Sequence, residues 1–233
     1  MTGLGSTRSV RQRHSQARLG GARHMGNMRL DPFYLIVDDA HWLARLLPLG
    51  VKLAQLRIKD RGEDELRVQI ARSRALCAAH GARLVVNDYW RLAIEEGCDF
   101  VHLGQGDLFG DLDAADIAAL RRHGVRFGIS THDEAELERA LALAPDYVAL
   151  GPIYPTLLKE MAFAPQGLER IGEWKRRVGI RPLVAIGGLT PARARRALEA
   201  GADSACVVTD ILRADDPERR TREWIDATAP WRS

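Results

Sequence analysis

From Asp31 onward, short apolar runs alternate with stretches in which apolar residues recur every three to four positions. The apolar runs predict strands at 33–37, 51–59, 83–87, 100–103, 126–129, 147–150, 182–186 and 204–208. Helical periodicity follows each of them. A short helix is expected through His41 and Leu47, a long one over 64–80 closed by Gly81, and another over 89–96 ended by Gly97. Further helices are expected over 113–123, from an N-cap at Thr131 or Asp133 to Leu143, over 168–177, from Thr190 with Pro191 in its first turn, and over 217–227.

Strict alternation of strand and helix requires a mostly parallel sheet covered by helices. About eight such units without a linker favour closure into a (β/α)8 TIM barrel, an α/β fold of one domain, over an open doubly wound sheet. No G-x-G-x-x-G follows the first strand, which counts against the dinucleotide-binding type.

A chain of 233 residues suffices for that barrel, and 46% hydrophobic with 28% charged residues is ordinary for a globular protein. The net charge of +3 comes from Arg8, Arg11, Arg13, Arg18 and Arg23, in a leader that has no Asp or Glu. The remainder is near neutral to slightly acidic, so composition points to neither nucleic acid nor membrane as a partner. Residues 1–28 are expected to be a basic leader, a disordered extension rather than a transit peptide, with 29–233 as the catalytic domain. No apolar run reaches the length of a membrane span. Cys77, Cys98 and Cys206 have neither metal-type spacing nor an even count. They read as small core hydrophobes in a reducing compartment, and a cytoplasmic location is expected. Self-association is compatible with this composition.

In a closed barrel, chemistry collects at the carboxyl ends of the strands. Those ends carry Gln55, Arg57 and Lys59; Asn87 and Asp88; Gln105 and Asp107; Ser130; Thr156 and Lys159; Gly187 and Gly188; and Thr209. The opposite ends, at Pro32, Ala82, Asp99 and Pro182, show no comparable cluster. Gln55, Arg57 and Lys59 alternate, so a strand would put them on one face, where two cations call for an anion such as a diphosphate. Cations splayed to solvent or paired with internal carboxylates are the alternative. Asp88 and Asp107 end neighbouring strands and could hold Mg²⁺ together with phosphate oxygens, or else cap a helix and shape a turn. Gly187 and Gly188, before the helix opened by Thr190, could bring backbone N–H groups onto a phosphate or simply make a tight turn. Val208 and Thr209 would complete that cup. The 151–165 loop with Thr156 and Lys159 exceeds the usual length and is a candidate lid or a plain excursion. His102 reads as a hydrogen-bonded interior residue before an acid or base. Tyr89, Trp90 and Trp174 read as helix packing groups.

Five stretches carry a resemblance: 55–60, Asn87-Asp88, 101–105 with Asp107, 151–156 with Lys159, and 185–188. In this order they resemble the thiamine phosphate synthase family over nearly everything but the leader. The resemblance implies a transferase of thiamine biosynthesis on a TIM barrel, joining the diphosphate of hydroxymethylpyrimidine to a thiazole phosphate, with loss of pyrophosphate. It implies that Arg57, Lys59 and Lys159 hold the pyrophosphate, with Ser130 beside them in the catalytic set, and that Asp88 and Asp107 hold Mg²⁺. It further implies that Gln55, Asn87 and Ser130 line the pyrimidine diphosphate site, and that Thr156, Gly188, Val208 and Thr209 hold the thiazole phosphate. In the family the C–O bond is thought to break first, and the thiazole nitrogen captures the cation. The absence of a nucleophile-base pair from the strand ends agrees with that order. Two departures are Leu158, where the family commonly has a second threonine, and Thr209 in place of a serine. A thiazole tautomerase of the same fold and a non-catalytic phosphate-ligand binder are the rival readings.

Overall fold

The structure, a computed structural model, describes residues 28–106, 114–156 and 163–232. The expected leader, Met28 apart, therefore lies outside the described residues, as do Asp107, Leu158 and Lys159.

Eight parallel strands close into a barrel in chain order: β1 (Phe33–Val37), β2 (Leu53–Leu56), β3 (Arg83–Asn87), β4 (Phe100–Leu103), β5 (Arg126–Thr131), β6 (Tyr147–Leu150), β7 (Leu183–Ile186) and β8 (Ser204–Val207). β8 pairs with β1, so no edge is left. The helices are α1 (Ala40–Leu46), α2 (Glu63–Ala79), α3 (Trp90–Glu95), α4 (Ala114–Arg122), α5 (Glu134–Ala142), α6 (Gly167–Val178), α7 (Pro191–Glu199), α8 (Thr209–Leu212) and α9 (Pro217–Thr228). The expected alternation is present, and α8 is the addition. One turn of helix is too short for a periodic signal in the sequence.

The strands are mostly apolar because both of their faces are buried. In β1, Phe33, Leu35 and Val37 face outward under the helices, while Tyr34 and Ile36 face the barrel interior with Leu53, Val85, Phe100, Tyr147 and Cys206. Phe33 stacks on Trp224 of α9, ring centroids 5.6 Å apart, which ties the last helix to the first strand. Asp133, not Thr131, caps α5, accepting from Glu136 N–H at 2.8 Å. Thr131 is used elsewhere: its hydroxyl donates to the Ala149 carbonyl and accepts from Trp174 Nε1 at 3.0 Å. Thr190 caps α7 with Pro191 in its first turn, as its sequence requires.

Strand β2 stops at Leu56, three residues short of the expected 51–59. The opposite mouth also differs from expectation, since it is rich in charge. Arg29, Lys52, Arg74, Arg83 and Asp99 line a cavity of about 490 Å³ there, and Asp31, Lys175, Asp203 and Arg232 a second of about 640 Å³. Several of these charges are paired internally, Lys175 with Asp203 at 2.6 Å and Arg232 with Asp31 at 2.8 Å. Burial, with Arg126 nearby, lowers the guanidinium pKa of Arg83. All three cysteines are buried and free, and burial pushes the Cys77 thiol up to about 12 and the Cys98 thiol to about 11. No described helix is long and apolar enough to cross a membrane.

Candidate active site

The carboxyl-end mouth opens into a cavity of about 770 Å³. From β2 and its loop it receives Gln55, Arg57 and Lys59; from β3, Asn87 and Asp88; from β5, Ser130. Thr156 after β6, Gly187 and Gly188 after β7, and Val208 and Thr209 after β8 close the circle. Every expected site residue among the described ones therefore reaches one cavity; Asp107 and Lys159 lie outside the described residues.

Arg57 and Lys59 reach it differently from the way the alternation suggested. Both lie past the end of β2 and are exposed, so they are not charges forced onto a buried face. Arg57 N–H donates to the Val37 carbonyl at 2.8 Å, which fixes its backbone to the end of β1. Among the described residues, neither cation belongs to an ion pair, so the reading in which internal carboxylates neutralise them is not realised there.

Asp88 takes a left-handed backbone, φ 64°, which a short polar side chain tolerates better than most. Its N–H donates to the His102 carbonyl at 2.9 Å. The N-cap of α3 is Tyr89, without a side-chain cap bond, so Asp88 is not the capping residue that its position before a helix suggested. Asn87 is 4% exposed, and its Nδ2 has no partner among the described residues; Gln105 Oε1 is in the same state. An unspent buried amide costs about 1–3 kcal/mol, which a ligand bond would recover.

Gly187 and Gly188 have φ of 101° and 63°, and a Cβ on either would strike the loop after β6. At Gly188 it would lie 2.3 Å from the Pro155 carbonyl oxygen. Close packing against that loop thus requires these glycines whether or not an anion binds. Tyr154 N–H donates to the Gly187 carbonyl, and Arg193 donates to the Gly188 carbonyl while lying over the Tyr154 ring.

Sequence reasoning missed two members of the polar floor of the cavity, Tyr34 and Tyr147. Gln55, 2% exposed, donates through Nε2 to Tyr34 Oη at 2.8 Å. The Tyr34 and Tyr147 hydroxyls are 3.1 Å apart, Tyr147 Oη lies 2.7 Å from His102 Nδ1, and His102 Nε2 lies 2.8 Å from Ser130 Oγ. Burial raises both phenol pKa values well above the ordinary range, so both keep their protons. The only sequence signal was a tyrosine in each of two runs otherwise apolar, and an aromatic there reads equally well as core. His102 is the hydrogen-bonded interior residue that the sequence suggested. At the rim His132 stacks on Phe163 at 4.7 Å, and its Nδ1 lies 2.7 Å from Glu136 Oε2.

Magnesium requires one or two carboxylates, phosphate oxygens and water, and Asp88 offers one carboxylate beside two cations. Among the described residues no group of three or more His, Cys, Asp or Glu could hold a metal by itself. The residues fit an ion shared with a phosphate ligand rather than a closed protein cage.

The profile of a family described as "Thiamine monophosphate synthase" matches residues 33–211. A thiamine-phosphate synthase of Rhizobium etli is 68% identical over 206 residues, 88% of this chain and 99% of that protein. One from Citrobacter koseri is 44% identical over 196 residues, 84% of this chain and 88% of that protein. Among solved structures, the thiamine phosphate pyrophosphorylase from Pyrococcus furiosus superposes with a TM-score of 0.75 at 24% identity, covering 90% of this chain and 99% of that one. That last likeness bears on the fold alone.

Proposed function

Because the chain belongs to the thiamine monophosphate synthase family, we propose that it joins the diphosphate of a hydroxymethylpyrimidine to a thiazole phosphate, forming thiamine phosphate and releasing pyrophosphate. The observation that carries this reading is the meeting of Arg57, Lys59 and Asp88, from the ends of β2 and β3, in one cavity with Gly188, Val208 and Thr209, from the ends of β7 and β8. The first group offers positive charge and a carboxylate for a diphosphate. The other is built from the loops after β7 and β8, where this barrel usually takes a phosphate.

In this reading Arg57 and Lys59 bind the diphosphate and stabilise the charge that grows on it as the C–O bond breaks. The family resemblance assigns Lys159 the same task. Asp88 and Asp107 would be the residues to hold Mg²⁺, which when bound would neutralise further charge on the leaving group. Gln55, Asn87 and Ser130 orient the pyrimidine, and Asn87 brings the unspent donor noted above. Thr156, Gly188, Val208 and Thr209 hold the thiazole phosphate so that the ring nitrogen faces the pyrimidine methylene. Electron accounting closes without an added base: the bond pair leaves on pyrophosphate, and the thiazole nitrogen lone pair forms the new C–N bond. The enzyme is expected to work in the cytoplasm on these two small molecules.

The test is pyrophosphate release measured with each substrate alone, with both, and with Mg²⁺ omitted. Release only with both substrates and metal supports the reading. Thiazole tautomer exchange without a pyrimidine substrate, or binding without turnover, would replace it by one of the rivals named above.

A further inference from the structure

The hydrogen-bonded row Gln55–Tyr34–Tyr147–His102–Ser130 crosses the cavity floor, and its distances admit two directions. The choice is made at its buried end. Gln55 Nε2 donates to Tyr34, so the Tyr34 oxygen is already an acceptor and its own proton needs somewhere to go. Among the described residues, the neighbour within reach is the Tyr147 hydroxyl. If Tyr34 donates to Tyr147, then Tyr147 donates to His102 Nδ1, and His102 carries its proton on Nε2 and donates to Ser130 Oγ. Every proton before Ser130 then has an acceptor, and Ser130 keeps its own for the cavity. In the opposite direction the Tyr34 proton is left buried and unpaired, a state that folded proteins avoid. Burial keeps both phenols protonated, so each has one proton to give.

We propose that Tyr147 and His102 are positioning residues that fix the polarity of the Ser130 hydroxyl. Ser130 Oγ accepts from His102, so its single proton points into the cavity, and Ser130 recognises a hydrogen-bond acceptor on the ligand, a phosphate oxygen or an unprotonated ring nitrogen. It discriminates against a donor at that place. Gly128 makes the row possible, because a Cβ there would lie 2.0 Å from the Tyr147 ring. The inference rests on the proposed role of Ser130 toward the pyrimidine substrate, but the tautomer beneath it does not.

Two measurements separate these. Nitrogen-15 NMR of the ligand-free full-length chain, with the His102 signals assigned through His102→Asn, should show Nε2 protonated and Nδ1 unprotonated. Tyr34→Phe should leave that pattern intact, since Tyr147 still donates to Nδ1, whereas Tyr147→Phe should abolish the preference. A proton on Nδ1 in the unsubstituted chain would overturn the inference whatever the enzyme does. For the ligand half, Tyr147→Phe should lower kcat/KM for the pyrimidine diphosphate by about tenfold, the scale of one lost hydrogen bond, with the KM for thiazole phosphate unchanged. In a Ser130→Ala background the same change should cost nothing further. Losses that multiply in the double variant would show that Tyr147 does not act through Ser130.

Discussion

Gly128 and Tyr147 are register partners across β5 and β6, and the phenol ring occupies the space where a side chain on Gly128 would stand. An added Cβ would lie 2.0 Å from the ring, and the ring is fully buried with its hydroxyl held by Tyr34 and His102. Displacing it toward the cavity would strain or break those two bonds. Gly128→Ala is therefore expected to destabilise the fold by about 1–3 kcal/mol, the range for overpacking, and to lower activity in the fraction that still folds. Denaturation midpoints with activity per folded molecule check this. A neutral substitution would mean that the ring can move aside at little cost.

A different separation is expected at Arg57 and Lys59. Both are exposed and, among the described residues, outside every ion pair, so the fold has little stake in either. Arg57→Ala and Lys59→Ala should each shift stability by less than about 0.5 kcal/mol, as surface changes do. Turnover should fall by about 10²–10³, the scale of losing one strong contact to developing charge. Melting curves beside single-turnover rates make the comparison. Unchanged rates in both variants would remove these cations from the leaving-group role.

The barrel was legible because a parallel strand buried on both faces leaves an unbroken apolar run, and glycines such as Gly81 and Gly97, both at positive φ, end the helices between runs. The end of β2 was not legible. Ile58 stays buried beyond the last ladder residue, so the apolar-polar alternation of 54–59 continues after the strand has stopped. The described residues named from the strand ends do line one cavity. The two tyrosines of the floor could not be named, since in β1 and β6 every position is buried and nothing in the run tells which phase faces inward. Gly187 and Gly188 point the other way: their motif suggested a ligand, and the packing against Pro152 and Pro155 supplies a reason that no reading of the motif contained.

Stability should carry an acid-sensitive contribution from Asp39, the N-cap of α1. Burial opposes its charge, but His41 N–H, the His41 ring and Gln69 Nε2 favour it, and the carboxyl pKa is lowered overall. A depressed carboxyl stabilises the fold at pH above its unfolded value of about 3.9, and the contribution disappears as pH falls through the native value. Asp39→Asn keeps a capping oxygen and removes the charge. The stability difference between the two proteins should shrink as pH falls through the native Asp39 value. A difference independent of pH would assign the effect to the cap geometry alone.

Asp88 permits charge and backbone to be tested apart, because it combines a left-handed φ with a place in the cavity wall. Asparagine accepts that backbone conformation about as well as aspartate, whereas alanine has no side-chain oxygen to support it. Asp88→Asn should therefore fold with stability near that of the unsubstituted chain, and Asp88→Ala should lose about 1 kcal/mol more. Both should need at least about tenfold more Mg²⁺ for half-maximal pyrophosphate release, since one of at most two protein carboxylates has been removed from the ion. Magnesium titrations of the two variants at saturating substrates, with their unfolding curves, distinguish the effects. Were Asp88→Asn to keep the original magnesium requirement, the carboxylate would not be a ligand of the ion.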